Sequence, residues 1–330
     1  MARKTWIVVA SMAILAIGVA ACGSSNNNGG STSTSSSAKK SYKMTLIAGV
    51  KGDEFYITMN CGAQAKAKEL GVTLNFQGPD QFDASLQTPI VNAVAAKKPD
   101  AVLVAPTDTK AMYPSIKALS DAGTKVALVD TTLEQADFAV SQIASDNEGG
   151  GKAAATTLAD LIGGSGKVFV VNVKPGISTT DLRAKGFQEG AKAAGLTYVG
   201  QQYDDDDPAK AASIVKAELA KNPDLKGIFA MNVVSGNGVT AAVKSAGKSG
   251  KVKLVEFDAG PEQVTALKSG TIDALVAQYP FGIGQLGVRL ANRYITGKRA
   301  GIKKHYGTGS AIITRANVNK PQFKKFLYTK

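Results

Sequence analysis

The sequence predicts an α/β fold in which two lobes, each built on a doubly wound parallel sheet, are joined by a hinge of several strands. From Lys43 onward, short β-branched runs alternate with alanine- and lysine-rich stretches of helical spacing. Several of the predicted strands are nearly continuous apolar runs, which is typical of parallel strands buried on both faces. Because there are more of them than one open sheet holds comfortably, we expect two sheets.

The predicted elements follow this alternation along the chain. Strands are predicted at residues 44–50, 72–77, 101–105, 125–129, 140–144, 168–173, 198–203, 227–231, 252–257, 274–278 and 311–313. Helices are predicted at residues 56–70, 86–97, 110–122, 150–162, 181–194, 209–221 and 236–246. A glycine follows several of these helices, as at Gly71 and Gly195, and suits the left-handed position after the last turn.

The order of these elements predicts which lobe each belongs to. We expect residues 43–146 plus about 279–307 in the N-terminal lobe, and residues 147–278 plus about 308–330 in the C-terminal lobe. The chain then crosses between lobes near Ser145-Asp146-Asn147 and again just after Gln278. Such a hinge allows the lobes to close over a ligand.

The N-terminus resembles the leader of a bacterial lipoprotein. Arg3 and Lys4 precede an apolar run over residues 6–21, which is short for a stable membrane span. The run ends in Val19-Ala20-Ala21-Cys22, similar to a lipobox. We therefore expect residues 1–21 to be a signal peptide and Cys22 to carry the lipid, with a plain signal peptide and a chance cysteine as the alternative. Residues 22–42 are predicted to be a flexible linker, because they are rich in Gly, Ser, Thr and Asn.

Charge and reactive side chains exclude some classes of protein. The net charge of +13 comes largely from lysines spread along the chain, which favours a solvated surface over nucleic-acid binding. The second cysteine, Cys61, is interpreted as a buried, inert thiol. With His305 as the one histidine in the sequence and no cysteine pair, neither a metal nor a cofactor is expected.

Candidate site residues follow the predicted strands, because ligands bind at the carboxyl ends of strands in open α/β sheets. These positions carry carboxylates, amides, one arginine and several aromatic side chains. Polar groups of this kind match sugar hydroxyls, which both donate and accept, and aromatic rings cover the apolar faces of a sugar. Taken singly, an aspartate after a strand is more often a helix cap, and Phe257 could belong to the core.

From Lys43 to about Lys298 the chain resembles periplasmic sugar-binding proteins of the ribose and galactose receptor type. The matching stretches include residues 52–56, LVAPTD at 103–108, IASDN at 143–147, RAKGF at 183–187, the Phe257-Asp258 pair and AQYP at 277–280. The resemblance implies two Rossmann-like lobes with a sugar between them, an extracytoplasmic location, and an ABC permease with its ATPase as partners. It also implies a binding protein rather than an enzyme, and we expect a monomer.

The resemblance further implies which side chains face the ligand. Asp53, Phe55, Tyr56 and Asp130 would do so from the first lobe. The second lobe and the hinge would contribute Arg183, Asn232, Phe257, Asp258 and Gln278. The ribose receptor differs at several of these places, since this chain has Ala105, Thr131, Asp206 and Val233 where that receptor has an amide, an arginine, an aromatic residue and an aspartate. The ligand could accordingly be another pentose, a hexose, a polyol or a cyclitol.

Several motifs resemble those of other kinds of binding site. Residues 282–287 match G-x-G-x-x-G but lack the later acidic residue of a dinucleotide site, so we interpret them as close helix packing. Asp204–Asp207 could bind calcium, although a solvated loop or part of the pocket wall fits the spacing better. A secreted carbohydrate-active hydrolase and a sugar sensor without a transport role remain alternatives. A DNA-binding regulator is disfavoured by the N-terminal leader.

Overall fold

The computed structural model describes residues 41–329. The first half of the described chain contains β1 (Lys43–Ile47), α1 (Glu54–Leu70), β2 (Thr73–Gln77), α2 (Ala84–Ala96), β3 (Ala101–Val104), α3 (Tyr113–Asp121), β4 (Lys125–Val129), β5 (Gln142–Ser145) and α4 (Asn147–Ile162). It continues through β6 (Lys167–Asn172), α5 (Ser178–Ala193), β7 (Thr197–Tyr203), α6 (Pro208–Lys221), β8 (Leu225–Ala230), α7 (Val233–Ser245) and β9 (Lys253–Phe257). It ends with α8 (Pro261–Ser269), β10 (Ala274–Ala277), α9 (Pro280–Ile295), β11 (His305–Thr308), β12 (Ala311–Ile313) and a 3₁₀ helix (Pro321–Phe326).

The strands form two six-stranded sheets with corresponding orders. The first sheet runs β11-β5-β4-β3-β1-β2 and the second runs β12-β10-β9-β8-β6-β7. Neighbouring strands are parallel throughout the first sheet, and in the second sheet only the β10–β12 pair is antiparallel. Each strand of one sheet therefore has a counterpart in the other, and β4 corresponds to β9. The predicted fold class, two doubly wound α/β lobes, is confirmed.

The chain crosses between the two sheets after β5, after β10 and between β11 and β12. Helix α4 follows the first crossing and packs on β8, β9 and β10 of the second sheet. Helix α9 follows the second crossing and packs on β3, β4 and β5 of the first. Because these crossings lie side by side at the junction of the lobes, they form the multi-strand hinge.

Glycines allow two helix pairs to approach closely, one in each lobe. A Cβ added at Gly284 of α9 would lie 2.0 Å from the carbonyl oxygen of Met59 in α1. In the other lobe, a Cβ at Gly151 of α4 would lie 2.1 Å from the carbonyl oxygen of Arg183 in α5. The G-x-G-x-x-G stretch thus serves helix packing, as the sequence indicated.

The structure differs from the sequence prediction in several places, among them helices α8 and α9, which were not among the predicted helices. Strand β11 was not predicted, because its four residues alternate between exposed and half-buried and form no apolar run. Cys61 lies exposed on α1, so the prediction of a buried thiol is wrong; its position faces away from the α1 residues that pack against α9. Within residues 41–329, we find no helix that combines the length and the apolar character needed to cross a membrane. Residues 1–40, which include the expected leader and Cys22, lie outside the described part of the chain.

Candidate functional site

A cavity lies between the lobes, at the carboxyl ends of strands from both sheets, and its empty space, including solvent at its mouth, is about 460 Å³. Its lining comes from both lobes: Val50, Asp53, Phe55, Tyr56, Phe82, Asp130, Val173, Ile177, Thr179, Thr180, Arg183, Asp206, Asn232, Asp258 and Gln278.

The N-terminus of α1 places three of these side chains. Asp53 caps the helix, since its Oδ1 accepts a hydrogen bond from the backbone N–H of Phe55 at 2.7 Å. The cap fixes the first turn, and Phe55 and Tyr56 then lie side by side with their rings 5.1 Å apart in an edge-to-face arrangement. The first lobe therefore offers an aromatic surface next to a carboxylate.

Asp130 follows β4 and lies in the left-handed region of the backbone, with a φ of 65°. This conformation is uncommon for a residue other than glycine, so its occurrence at a strand end indicates a functional position. The Tyr56 hydroxyl donates to Asp130 Oδ2 at 2.6 Å. Burial raises the pKa of Tyr56 well above its usual value, which keeps the hydroxyl protonated as a donor at neutral pH.

Arg183 projects from α5 and is held on three sides. Its Nε donates to Asn147 Oδ1 at 2.8 Å, and its Nη1 donates to the carbonyl oxygen of Met231 at 2.7 Å. The guanidinium carbon lies 3.7 Å from the centre of the Phe257 ring, a cation–π contact. Within the described residues no hydrogen bond is made by Nη2, so this nitrogen is available to a ligand.

Asp258 follows β9 and, like Asp130, has a left-handed backbone, with a φ of 81°. Its Oδ1 accepts two hydrogen bonds, from Gln278 Nε2 at 2.7 Å and from the Tyr328 hydroxyl at 2.7 Å. Gln278 Oε1 is buried and has no hydrogen-bond partner among the described residues. Both side chains consequently hold an acceptor oxygen free at the cavity.

Asp206 and Asn232 complete the second lobe's contribution. Asn232 caps α7, because its Oδ1 accepts from the backbone N–H of Ser235 at 2.8 Å, while its Nδ2 donates to Asp206 Oδ1 at 2.8 Å. The acidic loop at Asp204–Asp207 therefore forms part of the pocket wall, one of the two interpretations that the sequence favoured.

The cavity carries more acid than base. Four carboxylates, from Asp53, Asp130, Asp206 and Asp258, line it together with a single guanidinium. Burial raises the pKa of Asp53 well above its usual value, and the neighbouring Asp258 adds to the shift. Burial also raises the pKa of Asp206, and that of Asp130 to about 6, against the opposing hydrogen bond from Tyr56.

The atoms left free in the cavity are mostly acceptors. Of the side-chain donors that line the cavity, Tyr56, Asn232 and Gln278 are engaged with carboxylates, whereas Arg183 Nη2 is free among the described residues. Each lining aspartate has one oxygen that accepts a hydrogen bond from the protein, which for Asp53 comes from the backbone N–H of Phe55, and a second oxygen that accepts none within residues 41–329. A ligand that carries several hydroxyl groups satisfies these oxygens, whereas an anionic group would find only the Arg183 guanidinium as an opposite charge among the lining residues.

The two lobes also contact each other directly. The backbone N–H of Thr109 donates to the carbonyl oxygen of Gly176 at 3.1 Å, and that of Thr132 donates to Ser178 Oγ at 2.9 Å. Lys174 of the second lobe donates to the Phe82 carbonyl oxygen at 2.5 Å. The lobes are therefore closed on one another around the cavity.

The structure brings most of the predicted ligand-binding residues together. Asp53, Phe55, Tyr56, Asp130, Arg183, Asn232, Asp258 and Gln278 all line the cavity. Phe257 does not, because its side chain is fully buried in the core of the second lobe, beneath the Arg183 guanidinium. The expectation that its ring flanks the ligand is replaced by a supporting role for Arg183.

Some of the lining was missed at the level of sequence. Phe82 lies in the loop after β2, and Thr179 and Thr180 lie in the first turn of α5. All three follow carboxyl ends of strands, so the rule that found the other residues could have found these. Tyr328, which bonds to Asp258 from behind, lies near the C-terminus and carried no sequence signal.

Comparisons with known proteins agree with this geometry. Residues 44–299 match the family model described as periplasmic binding protein domain. The chain is 30% identical to the ribose import binding protein of Bacillus subtilis over 261 residues, which cover 79% of this chain and 84% of that protein.

Solved structures of two solute-binding proteins from Agrobacterium vitis are also similar. One, bound with α-D-tagatopyranose, has 44% sequence identity and a TM-score of 0.85, and the match covers 88% of this chain and 100% of that chain. The other, with bound D-fucose, has 30% identity and a TM-score of 0.82 over 87% of this chain and 100% of that chain.

Proposed function

The chain belongs to the periplasmic binding protein domain family, and from this premise we propose that it captures a monosaccharide between its two lobes and delivers it to an ABC importer. The observation that carries the proposal is the cavity that both lobes line, with free acceptor oxygens around it and aromatic rings on one side. Family members named for ribose and the neighbours bound with tagatopyranose and fucose support it.

The proposed ligand is a neutral five- or six-carbon sugar with most of its hydroxyls free. Each hydroxyl can donate to one of the free oxygens of Asp53, Asp130, Asp206, Asp258 or Gln278, while Arg183 Nη2 donates to a ring or hydroxyl oxygen. The rings of Phe55 and Tyr56, together with Phe82, cover apolar C–H groups of the sugar. A sugar acid or sugar phosphate would place a negative charge among four carboxyl groups, and we expect it to be excluded.

A thermal-shift and calorimetry screen tests this proposal. Neutral monosaccharides such as tagatose, fucose, arabinose, allose and ribose are compared with gluconate, glucuronate and ribose 5-phosphate. At least one neutral sugar should raise the melting temperature and bind with one site per chain, because a ligand of the folded state stabilises it. Binding of the acids alone, or of none of these compounds, would contradict the proposal.

We further propose that the protein binds its sugar without chemical change. In the closed structure the lining carboxylates are engaged with protein donors that fix their orientation, which suits recognition. After incubation with the protein, chromatography should show that the recovered sugar is chemically unchanged. One equivalent of sugar should be bound per chain. Release of a hydrolysis product from glycosides of the same sugar would indicate a carbohydrate-active enzyme instead.

Attachment to the outer face of a membrane through Cys22 is a separate proposal. It is supported by the sequence Val19-Ala20-Ala21-Cys22 and by the Ser-, Gly- and Asn-rich stretch that follows. In cells, the Cys22→Ala variant should move from the membrane fraction to the soluble extracytoplasmic fraction, while the Cys61→Ser variant should stay with the membrane. Equal membrane retention of both variants would refute a lipid anchor at Cys22.

A further inference from the structure

The two strand-end aspartates are related by the matching order of the sheets. Asp130 follows β4 and Asp258 follows the corresponding β9, and both have left-handed backbones. Each also accepts a hydrogen bond from a tyrosine hydroxyl, from Tyr56 in the first case and from Tyr328 in the second. The tyrosines come from different places, since Tyr56 lies on α1 and lines the cavity, whereas Tyr328 lies beyond the last strand and does not.

The C-terminal segment that carries Tyr328 is held by both lobes. The backbone N–H of Tyr328 donates to the carbonyl oxygen of Ala259 in the second lobe at 3.1 Å. Its ring lies 5.9 Å from that of Phe55 in the first lobe. The next residue, Thr329, donates from its backbone N–H to Thr58 Oγ1 of α1 at 2.9 Å. Tyr328 itself is only 6% exposed, so its position is fixed by packing as well as by hydrogen bonds.

We propose that Tyr328 is a positioning residue of the sugar site: its hydroxyl, together with Gln278, holds Oδ1 of Asp258 so that Oδ2 faces the ligand. The inference rests on the proposed sugar-binding function and extends it to the C-terminal segment, which does not touch the cavity. Since both protein donors converge on one oxygen, rotation of the carboxylate would break two short hydrogen bonds.

The Asp258 carboxylate needs such support more than an ordinary side chain. The backbone of Asp258 is strained, and the carboxyl group of Asp53 is near its side chain across the cavity. With Gln278 alone, Oδ1 would keep one donor, and the side chain could rotate away from the other acids. The Tyr328 hydroxyl removes this freedom before the ligand arrives, which lowers the entropy lost on binding.

The test compares Tyr328→Phe with the wild type by calorimetry, using the neutral sugar that binds best in the screen. The variant keeps the ring and loses only the hydroxyl, so we expect a dissociation constant about tenfold higher. The matched control is Tyr203→Phe, which removes a hydroxyl that accepts from Gln201 Nε2 on β7, away from the cavity. The control should bind within twofold of the wild type.

A double-mutant cycle separates positioning from general loosening of the fold. In an Asp258→Asn background, adding Tyr328→Phe should weaken binding by less than twofold, because the carboxylate that the hydroxyl orients is gone. If the wild type binds sugar and Tyr328→Phe binds within twofold of it, the inference is overturned. A full tenfold loss that persists in the Asp258→Asn background would also overturn it. A wild type that binds no sugar would instead contradict the proposed function.

Discussion

The two lobes share one strand order but present different chemistry to the cavity. In the first lobe, α1 brings Asp53, Phe55 and Tyr56 to the wall, and Phe82 lies nearby, so that the surface is aromatic and acidic. In the second lobe, α5 occupies the corresponding place and brings Thr179, Thr180 and Arg183. The same fold thus presents mainly aromatic and acidic side chains to the cavity from the first lobe, and threonine hydroxyls and a guanidinium from the second.

The lobes also differ in how tightly their polar groups are interlocked. Arg183 is bonded to Asn147 and Met231 and lies on the Phe257 ring. Asp258 is bonded to Gln278 and Tyr328. In the first lobe, Asp130 has a single side-chain partner, Tyr56. We infer that substitutions in the second lobe perturb more than the residue replaced, whereas those in the first lobe act more locally.

The largest expected effect follows from replacing Arg183, which is bonded to two other residues of the second lobe. Arg183→Ala should weaken sugar binding by about 2–5 kcal/mol, because it removes a donor to the ligand and leaves buried acceptors on Asn147 and Met231 unpaired. Calorimetry measures the change. Lys185→Ala, on the exposed side of the same helix, is the control and should bind normally. Wild-type affinity in Arg183→Ala would contradict the site.

A buried acid in the second lobe, Glu256, should make the free energy of unfolding depend on pH. Glu256 is fully buried, bonded to Thr240 and Gln263, and burial raises its pKa from 4.5 to about 7. The folded state therefore binds the proton more tightly than the unfolded state does. Its contribution is most favourable below about pH 4.5 and is lost as the pH rises through about 7.

Glu256→Gln, which mimics the protonated form, should accordingly stabilise the protein at pH 8 by up to about 3 kcal/mol and have little effect at pH 4.5. Urea unfolding of wild type and variant at the two pH values measures the difference. Because Glu256 does not line the cavity, the sugar affinity should change little. Equal stability of the two proteins at pH 8 would show that Glu256 is not held as a neutral acid.

An intermediate effect is expected from the first lobe's aromatic wall. Phe82→Ala removes a ring that lines the cavity and lies 6.0 Å from Lys174 Nζ, so sugar affinity should fall by about 1–2 kcal/mol. Because the Lys174 bond goes to the Phe82 backbone, the contact between lobes should survive. Calorimetry against the neutral sugar tests this, and a loss as large as that of Arg183→Ala would contradict the contrast between the lobes.

The smallest expected effect is the pH dependence of binding itself. The pKa of Asp130 is raised to about 6, so its carboxylate is the main form at pH 7.5 and the neutral acid the main form at pH 5. If the sugar donates to the carboxylate, affinity should fall by up to about tenfold between these values. In Asp130→Asn this decrease should shrink while the affinity at pH 7.5 is already lower. An equal decrease in both proteins would assign it to another group.

The sequence predicted the sheets well because parallel strands buried on both faces leave an apolar signal of their own. Strands β4 and β12 were predicted with the observed ends, at residues 125–129 and 311–313. Strand β11 was missed because an edge strand with exposed residues has no such signal. Its pairing with β5 is determined by the hinge, which brings distant segments of the chain together.

The sequence predicted those site residues that follow strand ends or lie in stretches that resemble the family. Asp130 and Asp258 were found because each directly follows a strand. Phe257 was placed in the site by the family resemblance, but side chains alternate along a strand, and its ring points into the core beneath Arg183. Tyr328 could not be found by either route, since its contact with Asp258 depends on how the last residues cross the finished fold.

The most direct test of the central claim is calorimetry of one neutral monosaccharide with wild type, Asp130→Asn and Asp258→Asn. The account predicts one binding site per chain and a clear loss of affinity in both variants, because the sugar is held by an aspartate from each lobe. Binding that is unchanged in either variant would show that the sugar does not bridge the two lobes, and would contradict the account.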